Sequence, residues 1–124
     1  TFATDHAPHT NEEKSRSIVE APFGIIGFET AIPLYLETFY HTKKLSPMDF
    51  VKKLTINPAS VMGIPRGSIS IGDIADVTII NPEKEWTYDV SKSPSKSRNT
   101  PFNNKKLKGK SVSTIVNGKV IYKD

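Results

Sequence analysis

The chain has 124 residues, 36% hydrophobic and 24% charged, with a formal net charge of +4 and no cysteine. That balance describes one globular domain or pieces of two, and it excludes disulfides and thiolate metal sites. No run approaches the ~18 apolar residues of a membrane span, and the N-terminus lacks the basic-then-apolar pattern of a secretion signal. The first residue is Thr1, inside what reads as a strand, as a segment of a longer protein would begin.

"TFAT", residues 1–4, reads as the end of a buried strand. A polar loop, "DHAPHTNEEKSRSIVEAPFG", follows, too long for a plain connection and of the kind that carries function in compact domains. In "FETAIPLYLETFYHTKK", apolar residues at Phe28, Ile32, Tyr35, Leu36 and Phe39 keep helical spacing, and Pro33 is compatible with it in the first turn. "SPMDF" opens another helix, with Ser46 as N-cap, Pro47 first and Asp49 near the positive end. Asn57-Pro58 repeats the start signal for a short helix that Gly63 closes.

After Gly63 the period changes. "GSISIGDIADVTIIN" alternates or runs β-branched, and "VSTIVNGKVIYK" reads as a hairpin around Asn117-Gly118, the pair suited to a type I′ turn. The expected division is therefore residues 1–62, strand, loop and helices, and residues 63–124, an all-β unit. Charge is unevenly spread: residues 1–90 hold 8 basic and 12 acidic side chains, residues 91–124 nine and one. The basic stretch, a loop at about 91–110, is rich in Ser, Pro and Asn and poor in aromatics for base stacking. It reads as a solvated loop or a contact with another part of the same protein, not as a nucleic-acid surface.

Two of the three histidines, His6 and His9, crowd beside Asp5 at the start of the long loop. Asp5 follows a strand, where barrel enzymes place catalytic groups, although capping a turn is the commoner task for Asp in such a position. His6 and His9 do not have the spacing of a helical metal pair, and His41 reads as a partner of a helix C-terminus. Gly24 and Gly27 signal either close approach of the backbone to a ligand or simple loop freedom.

Taken in order, "ATDHAPH", "EAPFGIIGFETAIPL", "LTINPASVMGI", "GSISIGDIADVTIINP", "SKSRNTPF" and "TIVNGKVIY" resemble the C-terminal third of the bacterial-type dihydroorotases, members of the cyclic amidohydrolases. "ADVTIINP" and "VNGKVIY" are shared across that superfamily, whereas "ATDHAPH", "APFGIIGFET" and "SRNTPF" are specific to the dihydroorotases. The resemblance implies an α/β fold: the C-terminal part of a metal-dependent (β/α)8 barrel, followed by part of a small β-sandwich. It implies reversible hydrolysis of (S)-dihydroorotate to N-carbamoyl-L-aspartate, a step of pyrimidine synthesis, in the cytoplasm. On matching positions, Asp5 is a metal ligand and the catalytic acid/base, His9 meets the substrate's carboxylate side, and Phe23 and Gly24 line the substrate through backbone groups. No role transfers to His6.

The implied cofactor is zinc, one or two ions, with the remaining ligands outside this chain. The implied partners are the substrate, the remainder of its own barrel, a second copy in a homo-oligomer, and aspartate transcarbamoylase. These residue types suit the chemistry. A metal lowers the pKa of bound water, and a carboxylate beside it can carry the proton to the leaving nitrogen. The His-x-His of the family's first strand is absent from these 124 residues, so this segment alone is not expected to be an enzyme. Rival readings are a hydantoinase or allantoinase acting on a different ring, a non-catalytic homologue kept as an assembly partner, and, weakest, a stand-alone basic binding module.

Overall fold

Helices occupy the first half of the molecule and strands the second. The computed structural model describes residues Thr1–Asp124. Helix α1 (Asn11–Lys14) is a single turn inside the long loop, opened by a capping box: Thr10 Oγ1 accepts from Glu13 N–H, and the Glu13 carboxylate accepts from Thr10 N–H. Helix α2 (Phe28–Tyr35) passes directly into a π turn over Leu36–Tyr40, where His41 N–H donates to Leu36 O at 2.9 Å. Pro33 is the sixth residue of α2, one turn deeper than its sequence context suggests. The helix starts only after Gly27, so the Glu29 carbonyl lacks its usual donor, and the ladder widens three residues later.

Helix α3 (Pro47–Leu54) begins as the sequence indicates, with Ser46 Oγ accepting from Asp49 N–H at 3.1 Å. Helix α4 (Ile56–Met62) starts from Thr55 rather than Asn57, and Gly63 closes it in the left-handed region at φ 65°.

The three strands β1 (Val77–Thr87), β2 (Lys106–Val116) and β3 (Lys119–Lys123) form one antiparallel sheet in the order β1-β2-β3. The β2–β3 turn is as expected: Asn117 and Gly118 both have positive φ, 49° and 75°, and Val116 pairs with Lys119. Two strand expectations fail. "TFAT" forms no ladder, because no other strand lies beside it; the only pairing near it is an isolated bridge between His6 and Ile25. Residues 67–76 are turns and irregular chain, with Gly67 and Gly72 at φ 91° and 95° and Ile69 and Ile71 fully in solvent. The sheet is one layer of three strands, neither a barrel wall nor a closed sandwich.

Aromatic packing anchors the N-terminus in place of strand pairing. Phe2 stacks on Tyr35 at 4.3 Å and on Phe39 at 5.3 Å and tilts against Phe50 at 5.4 Å. Such pairs add about 0.5–1.5 kcal/mol each beyond the area they bury, and Tyr35 OH donates to Ala3 O at 2.7 Å. Between helix and sheet, buried Leu36 presses on Gly109: a Cβ there would lie 2.2 Å from Leu36 Cδ1, so only glycine permits the contact. Trp86 Nε1 donates to the Gly109 carbonyl at 3.0 Å beside it.

The basic stretch does not stay a loop, since Lys106, Lys108 and Lys110 lie on β2. Lys92, Lys105, Lys108 and Lys110 pair with Asp89, Glu37, Glu83 and Asp124 of the same chain. Its charge is thus partly spent on internal contacts. No helix is long and apolar enough to cross a membrane. The accessible surface is 8707 Å², against roughly 6,600 Å² for a compact monomer of 13.8 kDa. The excess includes Ile18, Val19, Phe23, Ile69 and Ile71, each more than four-fifths exposed.

Candidate functional site

Three pieces of chain converge: residues 5–9, residues 22–27 and Asn99. Asp5 sits at φ 46°, an uncommon conformation for a residue with a Cβ, and its exposed carboxylate makes no hydrogen bond or ion pair. A turn-capping Asp would bond its own backbone, and Asp5 does not. The residue is left as a free carboxylate on a constrained backbone, the kind of outlier that marks functional loops.

His6 is occupied. Its Nδ1 accepts from Gly27 N–H at 3.1 Å and its ring lies flat on Phe28 at 3.8 Å. It ties the two loops together, and its Nδ1 lone pair is committed to the backbone.

His9 Nε2 meets Phe23 O at 2.8 Å, and Nδ1 faces the Glu13 carboxylate at 3.7 Å. The hydrogen bond from Thr10 N–H, with His9 nearby, holds the Glu13 carboxyl below its ordinary range. His9 therefore bears directly on Phe23-Gly24, the other stretch singled out in the sequence. Gly24 has φ 111°, and a Cβ on it would come 2.4 Å from Ala7 Cβ, so the backbone approach read from the two glycines is real and its near neighbour is the first loop. Lys14 Nζ donates to Pro22 O at 2.9 Å and to Gly24 O at 3.3 Å. The Gly24 N–H makes no hydrogen bond within the protein.

Asn99, in "SRNTPF", was not among the candidate residues. Its side chain accepts from His9 N–H at 3.2 Å and donates to Ala7 O at 2.8 Å and Gly24 O at 3.2 Å; its carbonyl accepts from Ile26 N–H at 3.0 Å. The motif was visible in the sequence, but nothing local marks Asn99, whose side-chain partners lie 75 to 92 residues away.

Behind the loops an open cleft of about 880 Å³ lies between α2 and the sheet, lined by His6, Phe28, Glu29, Trp86, Tyr88 and Ser93 among others. Ser93 Oγ donates to Glu29 Oε1 at 2.5 Å and so fixes the segment leading to Asn99 against α2. Burial, with the Glu29 carboxylate nearby, pushes the Tyr88 phenol up.

No three His, Asp or Glu side chains converge on a point that could hold a metal ion. Asp5 could offer one ligand, while His6 and His9 both have a ring nitrogen committed to protein atoms. These residues by themselves do not fit a catalytic zinc, which takes about three protein ligands.

A model of the amidohydrolase family matches residues 1–121. The chain belongs to the amidohydrolase family. Within it, the chain is 49% identical to the dihydroorotase of Anaplasma phagocytophilum over 98% of its own length and 27% of that protein. It is 47% identical to the dihydroorotase of Clostridioides difficile, again over 98% of the chain and 28% of the relative. Among solved structures it superposes on D-hydantoinase (dihydropyrimidinase) from Thermus sp. with a TM-score of 0.83, at 24% identity over 97% of this chain and 27% of that one. The L-hydantoinase from Arthrobacter aurescens gives 0.78 at 28% identity over 86% and 24%. The chain thus spans little more than a quarter of the length of the relatives it matches.

Proposed function

We propose that this chain is the C-terminal segment of a dihydroorotase, which interconverts (S)-dihydroorotate and N-carbamoyl-L-aspartate. The carrying observation is the 42–49% identity to curated dihydroorotases across 98–99% of the chain, against 22–28% to the hydantoinase-type structures. In this reading residues 1–62 close a (β/α)8 barrel, residues 63–124 contribute to a β-sandwich, and the rest of the barrel covers the apolar side chains left in solvent. Metal dependence is general in the amidohydrolase family; zinc, with its other ligands outside these 124 residues, is the metal assigned here.

Each site residue has a separate task. Asp5 is the metal-side carboxylate and proton carrier, a role supported by its lack of any protein partner. Phe23 and Gly24 present backbone donors to the substrate, and the unpaired Gly24 N–H is suited to a carboxylate oxygen. His9 acts on the substrate side by fixing the Phe23 carbonyl. A hydantoinase-type specificity is the second reading, favoured only by the fold likeness.

The test is Asp5→Asn in the full-length protein, with dihydroorotate turnover and metal content measured on folded material. Loss of the acid/base lowers turnover by about 10²–10⁴-fold. Near-normal turnover would remove Asp5 from the mechanism. Wild-type protein that opens hydantoins and leaves dihydroorotate untouched would transfer the assignment to the second reading.

A further inference from the structure

We propose that Asn99 is a positioning residue that aims the substrate-facing backbone of Phe23-Gly24, an inference that rests on the dihydroorotase reading. Every hydrogen bond between residues 5–26 and the chain beyond Gly27 is made by Asn99. The amide uses its oxygen on the first loop, through His9 N–H, and its nitrogen on both loops, through Ala7 O and Gly24 O. The main-chain carbonyl adds Ile26 N–H. One residue therefore braces both loops from outside, beside the direct bonds His6–Gly27, Ala7–Ile25 and His9–Phe23 between them.

What this does to Gly24 follows from peptide geometry. The carbonyl of Phe23 is held by His9 Nε2, and that of Gly24 by Asn99 Nδ2 and Lys14 Nζ. Both peptide planes flanking the Gly24 Cα are thereby fixed, although glycine is the residue least able to fix them itself. In a trans peptide the N–H points opposite the C=O of the same plane. Holding Phe23 O toward His9 thus aims the unbonded Gly24 N–H away from it, as a donor already oriented before a carboxylate arrives. A donor that needs no ordering loses less affinity to entropy. Removing the Asn99 amide leaves the Gly24 carbonyl to the longer Lys14 bond at 3.3 Å and takes the brace from both loops, without touching Asp5.

The experiment compares wild type with Asn99→Ala in the full-length protein by dihydroorotate kinetics, metal content, thermal stability and amide hydrogen exchange. Losing this shared network should raise KM about tenfold while kcat changes little, because ground and transition state lose the same binding. Metal content should hold, and exchange should quicken in residues 5–10 and 22–26. Asn99→Asp, which keeps the acceptor for His9 N–H and loses both donors, should show the KM effect with His9 still protected. Unchanged KM in folded variants, with or without a drop in thermal stability, overturns the proposal and leaves Asn99 as loop support. Unchanged exchange in both loops overturns it as well. Wild-type protein inactive on dihydroorotate defeats the functional reading first, a result separate from any ratio of variant to wild type.

Discussion

Two stretches of irregular chain, residues 5–27 and residues 64–76, are both punctuated by glycine and both poor in regular structure, yet the first is tied to distant chain along its length and the second only at its end. In the first, side chains bond backbone groups far along the sequence: His6 reaches Gly27, and Asn99 spans 75 to 92 residues. In the second, most side-chain bonds are local, and one contact reaches far: Asn117 N–H donates to Asp76 Oδ1 at 2.8 Å, beside Gly118 N–H on Ala75 O at 3.0 Å. Ser68, Ser70 and Asp73 bond one another, and Arg66 bonds Pro65 O and Asp76 at 3.0 and 3.1 Å. The first stretch has a geometry imposed by the rest of the molecule, which a site requires. The second is shaped mostly by its neighbours and carries four exposed isoleucines, Ile64, Ile69, Ile71 and Ile74.

The hardest way to break the first stretch is Gly24→Ala in the full-length protein. The new methyl would start 2.4 Å from Ala7 Cβ at a φ of 111°, and strain plus overpacking should lower stability by more than about 2 kcal/mol. Urea denaturation checks this, and adding Ala7→Gly sharpens it: the clash is relieved, the φ strain remains, and recovery should be partial. Strictly additive losses would mean the two loops do not touch as described.

A smaller effect is expected at Thr10→Ala, which removes one half of the capping box and should cost about 1 kcal/mol. The other half has a pH signature. Glu13 has its folded pKa depressed below the ordinary 4.5, mainly by Thr10 N–H. Its contribution is therefore complete above that value and is lost as pH falls through the lower folded one. An NMR titration of the Glu13 carboxyl should place its midpoint below 4.5; a midpoint at or above it would dissolve the box and the reason Glu13 stays charged beside His9.

The smallest effect belongs to the second stretch. Arg66 and Asp76 are more than a third exposed, so Arg66→Ala should cost less than about 0.5 kcal/mol and less still at high salt. A loss above about 1 kcal/mol would show that this exposed pair anchors residues 64–76 more firmly than a surface ion pair does, and the contrast between the stretches would collapse.

The same contrast explains what was legible in the sequence. Ser46-Pro47-Asp49, Gly63 and Asn117-Gly118 act on backbone within a few residues, and each does in the structure what its chemistry indicates. Thr10 and Glu13 had an equally local signature, T-x-x-E, hidden within a stretch read as loop. "TFAT" and residues 67–76 have β-prone side chains, but a strand needs a neighbour, and a run of residues cannot say whether one is there. Of the residues named by resemblance, His9 bonds Phe23 and lies beside Gly24 while Asp5 stands unpartnered, whereas Asn99 was quoted within a motif and passed over. Its meaning lies in the distance it bridges.

The contact of Leu36 with Gly109 has an optical consequence. Trp86, the chain's single tryptophan, is bonded to the Gly109 carbonyl, with Lys110 Nζ 5.1 Å from its ring and Tyr88 edge-on at 6.1 Å. Its fluorescence therefore senses the seam between α2 and the sheet. Once tryptophans elsewhere in a longer polypeptide are replaced, a red shift on heating would time the parting of that seam, and loss of energy transfer from Tyr88 would mark the unravelling of β1 as a separate event.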